Sequence, residues 1–201
     1  MRLRGLYEWL RRRRYVVDAA IVVLLWLFSV LFAAAYHPGL PPGLLEAALL
    51  IPLVWRRRFP VPVFGVMSLA CVVQLVLLDT PLTANVGFLF ALYAVAAYAT
   101  SRRVRVAALA VGLGGAVAGT LDWMYGAVSG REMLFSAGML SALVAFAWTL
   151  GDLLRTRRAY VTELEERARR LEVERNQQAK IARAAERARI AREMHDVVAH
   201  S

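Results

Sequence analysis

The sequence predicts an all-α protein, in which a polytopic membrane bundle of six helices is followed by a cytoplasmic coiled-coil helix. Three observations predict this architecture. Of the 201 residues, 59% are hydrophobic, whereas soluble globular domains average about 45–50%. Six apolar runs recur between residues 15 and 150, and short arginine clusters lie between alternate runs. Beyond residue 155 the chain turns polar and contains no glycine or proline, which is typical of an exposed helix.

The first apolar run is Tyr15–Tyr36, and it follows a basic N-terminus at residues 1–14. Its 22 residues are enough to cross about 30 Å of hydrocarbon as a helix. Three alanines before Tyr36 resemble a signal-peptide cleavage site, but the run is longer than a typical signal-peptide core and further spans follow. We therefore expect this first span to be retained.

The second run, Leu44–Trp55, is the weakest of the six. It follows a turn-rich loop at residues 37–43, and it contains Glu46 and Pro52. Extension back to Leu40 gives only 16 residues, which is short for a span. The other four runs are longer and are bounded by turn or basic residues. They are Val61–Leu78, Ala84–Thr100, Val106–Trp123 and Met133–Leu150.

The distribution of basic residues supports six spans over residues 15–154. With the N-terminus inside, the clusters at 1–14, 56–58, 102–105 and 155–158 all fall on the cytoplasmic side, as the positive-inside rule requires. Omission of the second span would place residues 56–58 outside. The predicted location is therefore the cell membrane, with both termini cytoplasmic and with outer loops too short to hold a sensor domain.

The net charge of +10 does not predict a nucleic-acid partner. A nucleic-acid surface gathers its basic residues on one face, whereas here they are scattered over the loops between apolar runs. The expected partner of these charges is membrane lipid.

Three features inside the predicted spans bear on packing and function. Glu46 is ionisable, and intramembrane charges are costly and often functional; a side chain that reaches the outer interface is an equally good interpretation. Gly115 and Gly119 have the spacing of a close helix contact, which we expect within the bundle rather than at a dimer seam. The single cysteine, Cys71, excludes an intrachain disulfide and predicts a small core residue.

Residues 155–183 are predicted to form a signalling coiled coil. Apolar residues at 3,4,3 spacing make a seam along it: Val161, Leu164, Ala168 and Leu171. Three i,i+4 pairs should support the helix in water: Glu163–Arg167, Glu165–Arg169 and Glu166–Arg170. The register of this seam breaks between residues 174 and 180.

The most informative stretch lies in residues 184–201, where Glu186–Ser201 has the sequence ERARIAREMHDVVAHS. Its composition predicts a helix, with an apolar seam of Ile190, Met194 and Val197. His195 lies beside this seam and can reach solvent. Asp196 follows directly, and a neighbouring carboxylate can hold a neutral imidazole in one tautomer, as a nucleophile requires.

This stretch closely resembles the phosphoacceptor box of two-component sensor histidine kinases. The resemblance is to the subgroup-3 dimerisation and phosphoacceptor domain of the NarX/DesK/LiaS-like kinases, whose pattern is roughly E-R-x-R-I-A-R-E-L-H-D-x-V-x-H. Only Met194 departs from it, where leucine is usual. The match covers about sixteen contiguous residues.

The resemblance implies a role for each polar residue of the box. His195 would attack the γ-phosphate of ATP and carry the phosphoryl group on a ring nitrogen. Asp196 would accept or orient the ring proton. His200, four residues after Asp196, would place a water for dephosphorylation of the response regulator; a solvated surface residue is the alternative. Residues 184–201 would be the start of a helical hairpin that dimerises, so we expect a homodimer through residues 160–200.

Neither a metal site nor a phosphate-binding loop is predicted within the 201 residues. By resemblance, ATP and its divalent metal bind a separate ATP-binding domain, and no segment of this sequence resembles one. We therefore expect this chain to be inactive by itself and to serve as the input half of a protein histidine kinase. The alternative is a small membrane transport or scaffold protein whose basic cytoplasmic helix binds a partner, but such a protein has no need of the His195–Asp196 pair.

Overall fold

A computed structural model describes residues 19–20, 22–29, 40–78 and 80–199. The side chains of residues 40–44 and 184–199 lie outside this description. The chain divides into two compact units, Met1–Arg155 and Thr156–Ser201.

Every regular element among the described residues is helical, which confirms the all-α prediction for this part of the chain. Residues 22–29 are helical. They are followed by α1 (Leu40–Leu50), a 3₁₀ helix (Ile51–Trp55), α2 (Pro60–Leu77), a short 3₁₀ helix (Thr83–Asn85), α3 (Val86–Tyr98), α4 (Arg102–Met124) and α5 (Gly130–Ala199).

The helix boundaries follow from local chemistry. α2 begins with Pro60 at its first position, where the missing N–H is not needed and the fixed φ suits a helix. After α4, Gly126 adopts a φ of 75°, which glycine reaches without steric cost. α5 then starts with a capping box: the Ser129 backbone N–H donates to Glu132 Oε2 over 3.0 Å, and the Glu132 N–H donates to Ser129 Oγ over 3.4 Å.

The core of the first unit is built around α3, which packs against α1, α2 and α4. Small and branched side chains bury most of this helix, among them Ala91, Leu92 and Val95. At Gly87 the backbone of α1 comes so close that an added Cβ would lie 3.2 Å from the Leu49 carbonyl oxygen. Alanine and glycine thus let α3 occupy the centre of the bundle, since helices approach closely where side chains are small.

The close helix contacts do not lie where the Gly115–Gly119 spacing predicted. An added Cβ at Gly115 would meet nothing within 4 Å, and at Gly119 it would meet Trp123 of the same helix. Besides Gly87, close contacts within this unit lie at Gly112, whose added Cβ would be 2.9 Å from Val144 Cγ1, and at Gly151, where it would be 2.6 Å from the Tyr93 carbonyl oxygen. Sequence spacing identifies small residues on one face, but it does not say which face meets a neighbour.

Within the part of the chain that the structure describes, three helices are long and apolar enough to cross a membrane: α2, α4 and the apolar first part of α5. α2 matches the predicted third run to within one residue at each end. α4 begins four residues before the predicted fifth run, because Arg102–Arg105 form its first turn rather than a loop. Large apolar side chains point outward along these helices, such as Val76 (79% exposed) and Phe135 (74%), and such surfaces suit a lipid environment.

The apolar elements that correspond to the second and fourth runs are shorter. They cover Leu45–Trp55 and Thr83–Tyr98, and both pack into the core of the unit. Most of the predicted first run lies outside the described residues, apart from the helical residues at 19–20 and 22–29. Cys71 is half-buried against the core, in agreement with its predicted packing role.

The second unit consists of the remainder of α5 from Thr156 onward. Two of the three predicted ion pairs are present: Arg167 Nη2 lies 2.5 Å from Glu163 Oε1, and Arg170 Nη2 lies 4.0 Å from Glu166 Oε2. All four side chains are exposed, so each pair contributes a few tenths of a kcal/mol at most.

Candidate functional site

The predicted phosphoacceptor segment lies in the last turns of α5. This helix continues through Ala199, so His195 and Asp196 both have helical backbone, as the sequence predicts. Their side chains lie outside the described residues, as does the seam of Ile190, Met194 and Val197. His200 lies wholly outside them. The helix places His195 and Asp196 about 100° apart around its axis, so they lie on adjacent faces.

A buried carboxyl group forms a second candidate site, within the first unit. The Ser29 hydroxyl donates a hydrogen bond of 2.7 Å to Glu46 Oε1. Glu46 is 2% exposed and Ser29 is fully buried. Of the two interpretations of Glu46, the structure therefore excludes a side chain that extends into solvent. A carboxyl group inside an apolar bundle is costly to bury, which makes this hydrogen-bonded pair a candidate functional site.

A third polar cluster lies at the opposite end of the first unit, around Arg105. Its Nη1 donates to the carbonyl oxygens of Ala99 (3.1 Å) and Thr100 (3.2 Å), just after α3 ends. Its Nε lies 3.5 Å from Asp152 Oδ1, and Arg155 Nε donates to that same oxygen over 3.1 Å. Arg105 is only 6% exposed. A buried guanidinium needs such partners, and through them it connects α3, α4 and the α5 segment of this unit.

The indole of Trp148 strengthens the same cluster. Its Nε1 donates to the Arg105 carbonyl oxygen over 2.9 Å. At the far end of α4, Trp123 Nε1 likewise donates to the carbonyl oxygen of Leu78, over 3.1 Å. Each bond lets an aromatic ring cover apolar surface while its polar atom stays satisfied.

Comparison with protein families assigns most of the chain to a family. Residues 6–158 match the model of a family described as a domain of unknown function, DUF7134. The match covers more than half of the chain. The chain belongs to the DUF7134 family. Comparisons with curated proteins and with solved structures gave no significant match.

The DUF7134 domain coincides closely with the first compact unit. It ends at residue 158, three residues beyond Arg155. The Ser29–Glu46 pair and the Arg105 cluster therefore both belong to the DUF7134 domain, whereas His195 lies beyond its end. Among the described residues no group of three or more His, Cys, Asp or Glu side chains converges.

Sequence reasoning identified Glu46 but missed its partner and the Arg105 cluster. Ser29 is one of several small residues in an apolar run, and nothing in its spacing points toward Glu46. Arg105 was assigned with its neighbours to a basic loop. Helical spacing gives only a partial signal: Arg105 lies about 200° around α4 from Arg103, but it is three residues from Arg102 and shares a face with that residue.

Proposed function

We propose that this protein is the membrane input half of a two-component sensor histidine kinase. The observation that carries the proposal is the contiguous phosphoacceptor sequence Glu186–Ser201. A helical backbone through Ala199 supports it, since a phosphoacceptor box of this kind is helical. The DUF7134 domain would supply the membrane part that precedes it.

The proposed chemistry is phosphoryl transfer to a histidine ring. A ring nitrogen of His195 attacks the γ-phosphorus of ATP, a P–N bond forms, and ADP leaves. Asp196 orients the ring and accepts its proton, so that the attacking nitrogen keeps its lone pair. ATP and its divalent metal are held by the ATP-binding domain of such kinases. The phosphoryl group then passes to an aspartate of a response regulator. His200 positions a water molecule for the dephosphorylation of that regulator.

The experiment that tests this proposal is an ATP labelling assay. The full-length gene product, or the 201-residue chain combined with the ATP-binding domain of a related kinase, is incubated with γ-labelled ATP. We expect a phosphoryl label that is stable to base and labile to acid, as a phosphohistidine is. A label with the stability of a phosphoserine or phosphothreonine would overturn the assignment.

The proposed topology has six spans, with both termini in the cytoplasm. Single cysteines replace Arg57, Thr80, Arg103 and Val128 in a Cys71→Ala background. We expect a membrane-impermeant maleimide to label positions 80 and 128 in intact cells, and positions 57 and 103 only after permeabilisation, because basic loops stay inside. Labelling of position 57 from outside would rule out the six-span topology.

The proposed assembly is a parallel homodimer through residues 160–200. In the single chain the seam residues Leu164 and Leu171 are 45% and 65% exposed, and a second copy would cover them as coiled-coil partners do. We expect Leu164→Cys and Leu171→Cys to form disulfide-linked dimers in the membrane. Glu166→Cys lies on the opposite face of the helix and serves as the matched control. Equal crosslinking at all three positions would indicate random collision instead of a seam.

A further inference from the structure

An apolar groove lies on the first unit, between the 3₁₀ helix that follows α1 and the first turns of α2. Its volume is about 410 Å³. All the residues that line it are apolar or aromatic: Ile51, Pro52, Trp55, Phe59, Pro62, Val63 and Val66. The proposed phosphotransfer makes no use of this groove.

Hydrogen bonds and prolines constrain the backbone on both sides of the groove. The Trp55 carbonyl oxygen accepts hydrogen bonds from the N–H groups of both Arg58 and Phe59, each over 2.9 Å, which closes the turn at one end. Proline residues in both walls restrict the backbone. Val63 is 5% exposed and forms the floor, whereas Trp55, Phe59 and Val66 are about half exposed and form the walls.

A positively charged side chain, that of Arg58, lies beside this groove. Arg58 is exposed, and its guanidinium carbon lies 5.4 Å from the ring centre of Phe59, which lines the groove. Arg56 of the same arginine run turns inward instead: it is 6% exposed and its guanidinium lies 5.3 Å from the ring centre of Phe90. Arg58 is thus an exposed cation beside a ring that lines the groove, where an anion outside the protein can reach it.

We propose that this groove binds an anionic phospholipid, with an acyl chain along the groove and the phosphate at Arg58. A ligand that fits must carry negative charge at one end and hydrocarbon at the other. The proposed topology places residues 56–58 at the cytoplasmic leaflet, where anionic lipids are found, and Trp55 has the interfacial position that tryptophan prefers. The inference rests on the membrane topology of the proposed function but not on phosphorylation of His195.

The test uses the 201-residue chain in detergent micelles with two lipid probes of identical acyl chains, dioleoyl phosphatidylglycerol and dioleoyl phosphatidylcholine. Native mass spectrometry measures the fraction of chain that retains lipid as the lipid concentration rises. We expect tighter binding of phosphatidylglycerol, and we expect Arg58→Gln to weaken it about fivefold, the equivalent of about 1 kcal/mol for one basic residue near an anionic surface. Arg58→Lys should retain most of the affinity.

Two matched controls distinguish specific lipid binding in the groove from nonspecific attraction between basic residues and anionic lipid. Arg103→Gln removes the same charge from another exposed basic position, and we expect it to change the affinity less than twofold. Val66→Trp should fill the groove and weaken both lipids, whereas Val76→Trp, on the same helix but away from the groove, should not. Far-UV circular dichroism of each variant verifies that it is folded. Glycerol phosphate, which lacks acyl chains, should not compete.

Three results would overturn the proposal. Equal losses for Arg58→Gln and Arg103→Gln would indicate diffuse charge attraction. Unchanged binding in folded Val66→Trp would show that the groove holds no acyl chain. Loss of a dimer in Val66→Trp, with lipid binding intact, would assign the groove to a second copy of the chain. A failed ATP labelling assay would leave the lipid result standing, so the two proposals fail independently.

Discussion

Replacement of His195 by alanine should abolish ATP-dependent labelling completely. No other side chain of the box offers a nucleophilic nitrogen at the same helical position, and the neighbouring Asp196 and Met194 cannot form an acid-labile P–N bond. The measurement is the acid-labile, base-stable label on the full-length gene product. Because alanine is a good helix former, we expect helicity and dimerisation to stay unchanged, so the loss would be chemical rather than structural.

Two further variants test the division of roles within the box. Asp196→Asn keeps the shape and removes the charge, so it should slow labelling about 100-fold, at the lower end of the range for general-base assistance, without loss of the dimer.

His200→Ala should leave labelling at the wild-type rate and impair only the dephosphorylation of the response regulator. Labelling of His195→Ala at the wild-type level would refute the phosphoacceptor assignment. Slower labelling of His200→Ala would show that His200 also takes part in autophosphorylation, contrary to the proposal.

The sequence predicts the helices of this protein well, because their signals are local. Apolar length predicts α2 to within one residue, and alanine, arginine and glutamate predict that the polar end of the chain is helical. The breaks are also local: Pro60 marks a helix start and Gly126 marks a turn. Each of these features depends on residues within a few positions of one another, which a single sequence displays directly.

Pairings between distant segments could not be predicted in this way. Ser29 and Glu46 meet although 17 positions separate them, and Trp148 meets the Arg105 backbone across 43 positions. Which face of α4 turns inward depends on the shapes of all its neighbours, so an arginine that appears to belong to a basic loop lies in the interior. The sequence marked Glu46 as unusual because its charge is costly in an apolar run, but it carried no corresponding signal for Ser29.

The proposed phosphoacceptor site is the opposite case, because it is inferred from local sequence and not from contacts between distant segments. The roles proposed for His195, Asp196 and His200 rest on a contiguous sequence pattern and on no observed tertiary contact, so they come from the sequence almost alone. The structure adds the continuous helix through Ala199. In the DUF7134 domain, by contrast, burial rather than sequence pattern distinguishes Glu46 and Arg105 from other charged residues.

Replacement of Gly151 by alanine should destabilise the first unit by about 1–3 kcal/mol, the usual cost of overpacking a tight contact. An added Cβ would lie 2.6 Å from the Tyr93 carbonyl oxygen and 2.7 Å from Ala96 Cβ, so α3 and α5 would have to move apart. Asp152 is the next residue, and its movement would also lengthen the 3.5 Å ion pair with Arg105. The measurement is the free energy of unfolding in mixed micelles titrated with dodecyl sulfate, followed by far-UV circular dichroism.

Gly138→Ala is the matched control, because it makes the same change in the same helix at an exposed position with nothing within 4 Å of the added Cβ. Alanine is favoured over glycine in a helix by about 1 kcal/mol, so we expect this variant to be as stable as the wild type or more stable by up to that amount. Only Gly151→Ala should therefore lower the free energy of unfolding, a difference that helix propensity alone cannot produce. If Gly151→Ala proved as stable as Gly138→Ala, α5 would not approach α3 at this position, and the ion pair between Arg105 and Asp152 would lose its structural basis.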